Sequence, residues 1–254
     1  MKMTVSEIKE QLQLITNPDD DFLLACQADE RKGVQTAVKQ WHKNQKTKQE
    51  LYDRYKTMNQ LEEQAYADGY QLVAGIDEVG RGPLAGPVVS AAVILDNHQK
   101  ILGLNDSKKL SLSKRHELFA EIEEKALAIG VGIITAEEID RYNILEATKL
   151  AMNQAVAKLS KQPELLFVDA VRLETPIPQH TIIKGDMKSN SIAAASIIAK
   201  VTRDKMMIEY DKEYPGYGFA NNAGYGTKEH LNGLELLGAT PIHRQSFSPV
   251  KKFI

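Results

Sequence analysis

The sequence predicts an α/β domain preceded by a helical N-terminal extension, and three observations carry that prediction. Residues 1–70 are polar and dominated by helix formers. From Gly69 onward, short β-branched runs alternate with amphipathic stretches, which is typical of α/β domains. Three of those β-branched runs lead into aspartates. We therefore predict a helical extension over 1–70 and an α/β domain over 71–254.

The extension is predicted to contain helices and little strand. Pro18 interrupts its helical pattern, and Asp19, Asp20 and Asp21 open the next helix, because the N-terminal end of a helix dipole attracts negative charge. Between residues 31 and 56, eight Lys and Arg residues accompany only two acidic ones. Two interpretations of this basic stretch stay open, a solvated helix face and a contact with nucleic acid.

The α/β domain is predicted to hold five strands with helices between them. The strands lie at residues 72–79, 87–95, 130–135, 165–169 and 181–184. Spacings of three and four residues predict one helical face through Leu118, Ile122 and Ala126 and another through Leu145, Thr148, Met152, Val156 and Leu159.

Only helices and loops are predicted after residue 187. Ser189 or Asn190 can cap a helix that runs through residues 193–200. The small side chains of that segment would allow the helix to approach a sheet closely.

Acidic residues stand at the ends of three predicted strands: Asp77 with Glu78, Asp169, and Asp186. If these strands are neighbours, their carboxyl ends bring all four carboxylates to one edge, where open α/β sheets bind ligands. Oxygen ligands without nearby Cys or His favour Mg²⁺ or Mn²⁺ over zinc. The alternative, that each Asp only caps a strand or begins a turn, is common for one residue but not for three such positions together.

The glycine-rich segment after the first acidic pair raises a geometric problem. Asp77 and Glu78 are adjacent, and adjacent strand residues point to opposite faces, so a shared metal site requires a backbone kink. Gly80 and Gly82 permit such a kink and let backbone amides approach a ligand closely. Arg81 between them either hydrogen-bonds a phosphate or belongs to an ordinary hairpin turn.

Seven motifs, in this order along the chain, resemble those of the ribonuclease H type 2 family, also called ribonuclease HII. They are GIDEVGRGPLAGP at 75–87, NDSKKLS at 105–111, DA at 169–170, KGD at 184–186, SIAAASIIAK at 191–200, GYGT at 224–227 and HR at 243–244. The resemblance covers residues 72 to about 250. It implies a ribonuclease H-like fold, with a central five-stranded mixed sheet flanked by helices and a helical C-terminal region over the active-site cleft.

The resemblance also implies that Asp77, Glu78, Asp169 and Asp186 are the catalytic metal ligands. The expected reaction is two-metal hydrolysis with two Mg²⁺ or Mn²⁺ ions. We expect Asp77 to bridge the ions, Glu78 and Asp169 to complete one metal shell, and Asp186 to serve the other. Cleavage is expected on the 5′ side of a ribonucleotide, leaving 3′-hydroxyl and 5′-phosphate ends.

Recognition of a single ribonucleotide in duplex DNA is the family's distinctive task. The resemblance assigns it to Gly80, Arg81 and Gly82, which would read the 2′-hydroxyl, and to Tyr225, which would stack on the following deoxyribose. A site built to bond a hydroxyl rejects a substrate that lacks it, because its own polar groups are then left unpaired. On local sequence alone, Tyr225 in a Gly-Tyr-Gly loop would be interpreted as a loop anchor.

Ser107, Lys108 and Lys109 resemble the family's phosphate-positioning residues. Without the resemblance, a Ser-Lys-Lys before a helix would be interpreted as solvated surface. His230 and His243 fit no zinc-ligand spacing, and we interpret both as structural.

Two alternatives are weighed against this assignment. Type 3 ribonuclease H shares the chemistry, but it carries Gly-Lys-Gly where this chain has Gly80, Arg81 and Gly82, a Glu at the position of Asp186, and a β-rich N-terminal domain. The second alternative is a catalytically silent nucleic-acid-binding module, against which the intact carboxylate set argues.

Composition constrains the setting of the reaction. The net charge of −2 supplies no global field for nucleic acid, so binding must use a local basic surface. The single cysteine, Cys26, and the lack of an apolar secretory signal predict a cytoplasmic protein. The expected partner is an RNA/DNA hybrid or a DNA duplex containing ribonucleotides, bound by a monomer with no membrane association.

Overall fold

A computed structural model describes residues 3–254 and divides the chain into two compact units. The first unit ends at Arg54, and the second runs from Tyr55 to Ile254. The proposed domain boundary near residue 70 stays a prediction. Within the described residues, no helix has the length and apolar character needed to cross a membrane.

The first unit is helical, as its sequence predicts. Helix α1 spans Val5–Leu14, α2 spans Asp21–Gln27, and α3 spans Lys32–Met58, of which the part up to Arg54 belongs to this unit. The side chain of Asp20 accepts a hydrogen bond from the Phe22 backbone and caps α2, in keeping with the predicted acidic helix start.

The second unit is built on a five-stranded mixed sheet, which confirms the predicted strand number. The strands are β1 (Val73–Val79), β2 (Val88–Leu95), β3 (Ala126–Ile134), β4 (Leu165–Asp169) and β5 (Gln179–Ile182). Their order across the sheet is β3-β2-β1-β4-β5. Strands β1, β4 and β5 run parallel to one another, whereas β2 is antiparallel to both β1 and β3.

Helices and short 3-10 turns complete the second unit. The helices are α4 (Gln60–Ala67), α5 (Leu112–Lys125), α6 (Ala136–Tyr142), α7 (Ile144–Ala157), α8 (Asn190–Glu213), α9 (Phe219–Asn222) and α10 (Lys228–Leu237). The 3-10 turns are Ser107–Lys109, Gly185–Met187 and Val250–Phe253. After residue 187 the described chain forms helices and loops but no named strand, as predicted.

Both faces of the sheet are buried under helices. Ala91 and Val93 of β2 share a core cluster with Leu118 of α5 and the small residues of α8. Ala92, between them, points to the opposite face and joins a second cluster with Met152 of α7. This alternation follows from the two-residue period of a strand and explains why β2 reads as a continuous apolar run.

Some predicted boundaries are wrong. Ala126 is the first residue of β3 and pairs with Leu95, so it is not part of the α5 face. A spacing of four residues from Ile122 does not show whether the chain is still helical at residue 126. Leu145 is 44% exposed in the first turn of α7, and Leu159 lies beyond the end of that helix. Strand β5 begins and ends two residues earlier than predicted. Ser189 caps α8 by accepting from the Ile192 backbone.

Candidate active site

The four predicted carboxylates meet at one edge of the sheet. Asp77 and Glu78 lie near the end of β1, Asp169 ends β4, and Asp186 lies in the 3-10 turn that follows β5. These three strands are parallel neighbours, so their carboxyl ends face the same way. The four carboxylates line one small cleft of about 90 Å³. The structure therefore brings together all four acids chosen from the sequence.

The kink expected between the two adjacent acids is absent from the described ladder. The β1–β2 register runs without a shift from Ala74 to Val79. Pairing between β1 and β4, however, ends at Ile76 and Val168. Asp77 and Glu78 follow that last pair, at a point where β1 and β4 no longer pair, and both acids line the cleft. The chain bends only afterwards, at a glycine.

Burial raises the pKa of Asp77 well above its ordinary value, and the charge of Glu78 raises it further. Hydrogen bonds from Ser196 and from the Glu78 backbone act in the opposite direction. Burial also raises the pKa of Glu78, against the opposing effect of Arg81, whose Nη1 lies 3.5 Å from Glu78 Oε1. Both shifts report charge held where water solvates it poorly.

Asp186 responds to the same crowding. Burial raises its pKa, and the charges of Asp106 and Asp169 raise it further. Asp106 lines the cleft and accepts a hydrogen bond from the Lys108 backbone, yet the sequence reasoning did not single it out. Its only sequence signal is its place in the NDSKKLS motif.

The donor set fits a divalent cation. The cleft offers carboxylate oxygens, and Glu78 Oε2 is buried with no hydrogen-bond partner among the residues described. A buried ionised oxygen without a partner is costly, and a cation would neutralise the mutually repelling acids. Within residues 3–254, no group of three His, Cys, Asp or Glu side chains lies close enough together to hold a metal ion as the side chains stand. Carboxylates that repel one another are expected to stay apart until a cation draws them together.

The glycine turn and the tyrosine loop lie side by side. Gly80 has φ of 95°, a left-handed conformation that favours glycine, and it sets the bend after β1. A Cβ atom placed on Gly82 would lie 3.4 Å from Cε1 of Tyr225, a residue that is 42% exposed. Two segments far apart in sequence thus present one continuous surface beside the acids.

The Ser-Lys-Lys residues occupy different environments. Lys108 lines the cleft with Ser107, whose buried Oγ lies 3.0 Å from Oγ of Ser196. Lys109 instead places Nζ near the sulfur of Met187. Ser196 also bonds Asp77, a role that the sequence hides because the residue lies inside an apolar helical run. Phosphate positioning by Ser107, Lys108 and Lys109 stays a prediction.

A mixed five-stranded sheet with four carboxylates at the ends of its parallel strands defines a hydrolase of the ribonuclease H-like class. The family described as Ribonuclease HII matches residues 74–250, and its N-terminal domain family matches residues 4–66. The chain belongs to the ribonuclease HII family.

Similar proteins agree with this assignment. Ribonuclease HII of Enterococcus faecalis is 56% identical over 253 residues, covering 100% of this chain and 99% of its own length. Ribonuclease HII of Leuconostoc mesenteroides is 53% identical and is covered completely, as is this chain. The crystal structure of ribonuclease H2 from Pyrococcus horikoshii superposes with a TM-score of 0.63 at 27% identity, covering 72% of this chain and 97% of that one.

These findings establish an endoribonuclease that acts on RNA/DNA hybrids. They decide against the type 3 alternative and against a silent binding module. Family membership also implies dependence on a divalent metal ion.

Proposed function

We propose that this enzyme hydrolyses the phosphodiester on the 5′ side of ribonucleotides, both in RNA/DNA hybrids and at single ribonucleotides embedded in duplex DNA. The products are 3′-hydroxyl and 5′-phosphate ends. One observation carries the proposal: residues 75–87 supply two cleft acids and, directly after them, the glycine turn that lies against Tyr225. The reacting phosphate and the sugar that identifies it would therefore be held by adjoining parts of one segment.

The cleft acids would hold two Mg²⁺ or Mn²⁺ ions. When bound, the ions would lower the pKa of the attacking water and stabilise the leaving 3′-oxygen. Asp77, the most buried of the four, is proposed as the shared ligand, with Glu78 and Asp169 on one side and Asp186 on the other. Ser196 would orient Asp77 through its hydroxyl, and the carboxylate oxygen of Glu78 that has no partner would be satisfied.

Discrimination of the sugar would come from Gly80, Arg81 and Gly82. Backbone groups of a glycine turn approach a ligand closely, so they can meet the 2′-hydroxyl, the group that distinguishes the two sugars. The exposed ring of Tyr225 would stack on the deoxyribose that follows. Lys108, in the cleft, would contact the phosphate backbone together with Ser107 and Lys109.

The biological setting follows from this specificity. An enzyme that nicks beside single ribonucleotides would begin their excision from DNA during replication and repair. We place that activity in the cytoplasm and assign it to a monomer.

The test uses two end-labelled duplexes, one with a single ribonucleotide in DNA and one a continuous RNA/DNA hybrid, each with Mg²⁺ or Mn²⁺. We expect both to be cut, the first on the 5′ side of its ribonucleotide, with a 3′ end that a DNA polymerase can extend. Cutting of the hybrid alone would contradict the proposed recognition of single ribonucleotides.

A control variant separates binding from chemistry. Asp77→Asn keeps the size of the side chain and removes its charge. We expect it to bind the single-ribonucleotide duplex without nicking it. Normal binding by Asp77→Asn, combined with failure of the parent enzyme to nick either duplex, would contradict the catalytic assignment itself.

A further inference from the structure

Arg244 is fully buried and holds the glycine-rich segment through its backbone. Its Nη1 donates to the carbonyl of Arg81 at 2.9 Å, and its Nη2 donates to that of Gly80 at 2.5 Å. Nε and Nη2 also donate to the carbonyl of Gly86 at 3.0 and 2.9 Å. Burial and the charge of Arg203 lower the pKa of Arg244 to about 9, which leaves it cationic at neutral pH. A planar guanidinium thus fixes both ends of the turn.

The residue before it, His243, holds the tyrosine loop through a second histidine. The Thr240 backbone N–H donates to Nδ1 of His243 at 2.9 Å, so that nitrogen carries no proton and Nε2 does. Nε2 of His243 then donates to Nε2 of His230 at 2.9 Å. The remaining proton of His230 is on Nδ1, which donates to the carbonyl of Tyr225 at 3.0 Å.

The buried setting agrees with this direction of donation. His230 and His243 are at most 1% exposed. Burial lowers the pKa of both rings, to about 4 for His243, where the charge of His230 adds to the effect. Both rings are therefore neutral at pH 7, and each has one donor and one acceptor nitrogen, as the chain of bonds requires.

The consecutive residues His243 and Arg244 therefore support both segments from the protein interior, the tyrosine loop through His230 and the glycine turn directly. The backbone adds to the connection: Leu84 donates to the carbonyl of Gly224, and Arg244 donates to that of Leu84, each at 2.8 Å. The face of Gly82 and the ring of Tyr225 are in turn close enough that a single Cβ atom would fill the space between them. Small changes in the buried bonds would change that spacing.

We propose that His243 and Arg244, acting with His230, are positioning residues that fix the Tyr225 loop against the Gly80–Gly82 turn and thereby set the preference for single embedded ribonucleotides. The inference rests on the proposed function, because it assumes that these two segments sense the ribonucleotide and its junction with DNA. A continuous hybrid depends less on this spacing, since every nucleotide of the RNA strand offers a 2′-hydroxyl. Misplacement of a positioned group by a fraction of an ångström is enough to reduce a rate strongly.

Two substitutions at His230 separate its two nitrogens. The amide nitrogen of Asn lies near the place of Nδ1, so His230→Asn keeps a donor for the Tyr225 carbonyl. The longer side chain of Gln places its amide near the position of Nε2, where the amide oxygen can accept from Nε2 of His243, so His230→Gln loses only the donor to the Tyr225 carbonyl. Arg244→Lys keeps the charge but not the planar fork. Tyr217→Phe is the matched control, because it keeps the ring that packs against His230 and removes only a partly buried hydrogen bond to the Gly238 carbonyl. That bond involves neither the Tyr225 loop nor the Gly80–Gly82 turn.

The measurement is the ratio of kcat/KM on the single-ribonucleotide duplex to kcat/KM on the continuous hybrid. We expect His230→Gln and Arg244→Lys to lower this ratio about tenfold, the scale of one lost hydrogen bond to a buried group, and His230→Asn by no more than about threefold. Tyr217→Phe should lower the thermal midpoint and leave the ratio unchanged. Thermal unfolding of each variant shows whether it folds. If Arg244→Lys does not fold, the two His230 variants still test the inference.

The outcomes separate this inference from the function on which it rests. Equal losses on both substrates for His230→Gln and Arg244→Lys would assign the network a purely structural role. If Tyr225→Ala still lowered the ratio in that case, the proposed sensing would stand and only the positioning role would fall. If Tyr225→Ala also lowered both rates equally, the sensing proposal would fall and this inference with it.

Discussion

The two compact units of this chain differ in how closely their candidate functions depend on the placement of individual residues. In the second unit, the cleft needs acids at the ends of particular strands, and Asp77 and Asp169 are held there by the sheet register. In the first unit, a small helical core around Trp41 carries exposed lysines on α3. Hydrolytic chemistry depends on placement to within a fraction of an ångström, whereas attraction to a polyanion depends mainly on charge density. Sequence motifs therefore report the first kind of function far more sharply.

The largest expected effect lies in the second unit. Asp77→Asn removes the most buried cleft carboxylate, and each bound ion contributes several kcal/mol of charge stabilisation in the transition state. We expect nicking of a continuous hybrid to fall by about a thousandfold or more. Single-turnover rates at saturating Mn²⁺ measure it, with circular dichroism to show that the fold is kept. A loss of less than about tenfold would remove Asp77 from the catalytic centre.

The same residue should control the stability of the metal-free protein. Because burial raises the pKa of Asp77 above 3.8, the folded state retains a proton that the unfolded chain releases. Stability is therefore lost as pH rises from about 3.8 through the raised value. We expect the thermal midpoint of Asp77→Asn to exceed that of the metal-free parent by a few degrees at neutral pH, and the gap to close in acid. Mn²⁺ should raise the thermal midpoint of the parent at neutral pH. A difference in midpoint between variant and parent that does not change with pH would contradict the raised pKa of Asp77.

Tyr225→Ala should have a smaller and more selective effect. The variant loses one stacking contact, worth about tenfold in rate on a duplex with a single ribonucleotide. On a continuous hybrid we expect a loss of less than about threefold, since the junction with DNA matters less there. Parallel kcat/KM measurements on the two duplexes test this. Equal losses on both would leave Tyr225 as a loop anchor.

Much of the second unit could be predicted because its signals are local. A β-branched run that leads into an acid marks Asp77, Asp169 and Asp186, and the recurrence of this pattern at three strands predicts a shared site. The missed features are those that depend on partners distant in sequence. Arg244 contacts a segment more than 150 residues earlier, and a buried Arg contradicts the usual exposure of that residue type. The sequence indicates only a structural role for His230 and His243, and their hydrogen bond to each other is a tertiary contact that residue spacing does not reveal.

The prediction of a kink between Asp77 and Glu78 is wrong for a related reason. Pairing of β1 with β2 continues through both acids, but β4 stops pairing with β1 at Ile76, so no strand lies beside Asp77 and Glu78 on that side. How far a neighbouring strand extends is a tertiary property that a single run of residues does not encode. The sequence could therefore place Asp77 and Glu78 in one site but not explain how both reach it.

The smallest expected effect tests the first unit. Lys32, Lys39, Lys43 and Lys46 are spaced by three, four or seven residues, so they share one exposed face of α3, hereafter the lysine stripe. Trp41 is buried in the core of this unit. A row of cations along a helix is complementary in charge to the phosphates of a duplex. We propose that the lysine stripe adds affinity for the substrate without taking part in cleavage.

One matched pair of substitutions on α3 decides the point. Lys43→Gln removes a charge from the lysine stripe, whereas Lys48→Gln removes the same charge about 140° around the helix. A lysine that contacts a phosphate contributes about 0.9 to the slope of log affinity against log salt. We therefore expect Lys43→Gln to reduce duplex affinity about threefold at low salt and to flatten that slope, with kcat unchanged at saturating substrate. Lys48→Gln should change neither quantity. Identical affinities and slopes for both variants and the parent would make the lysine stripe an ordinary solvated face, since a charge that meets no phosphate releases no counterion.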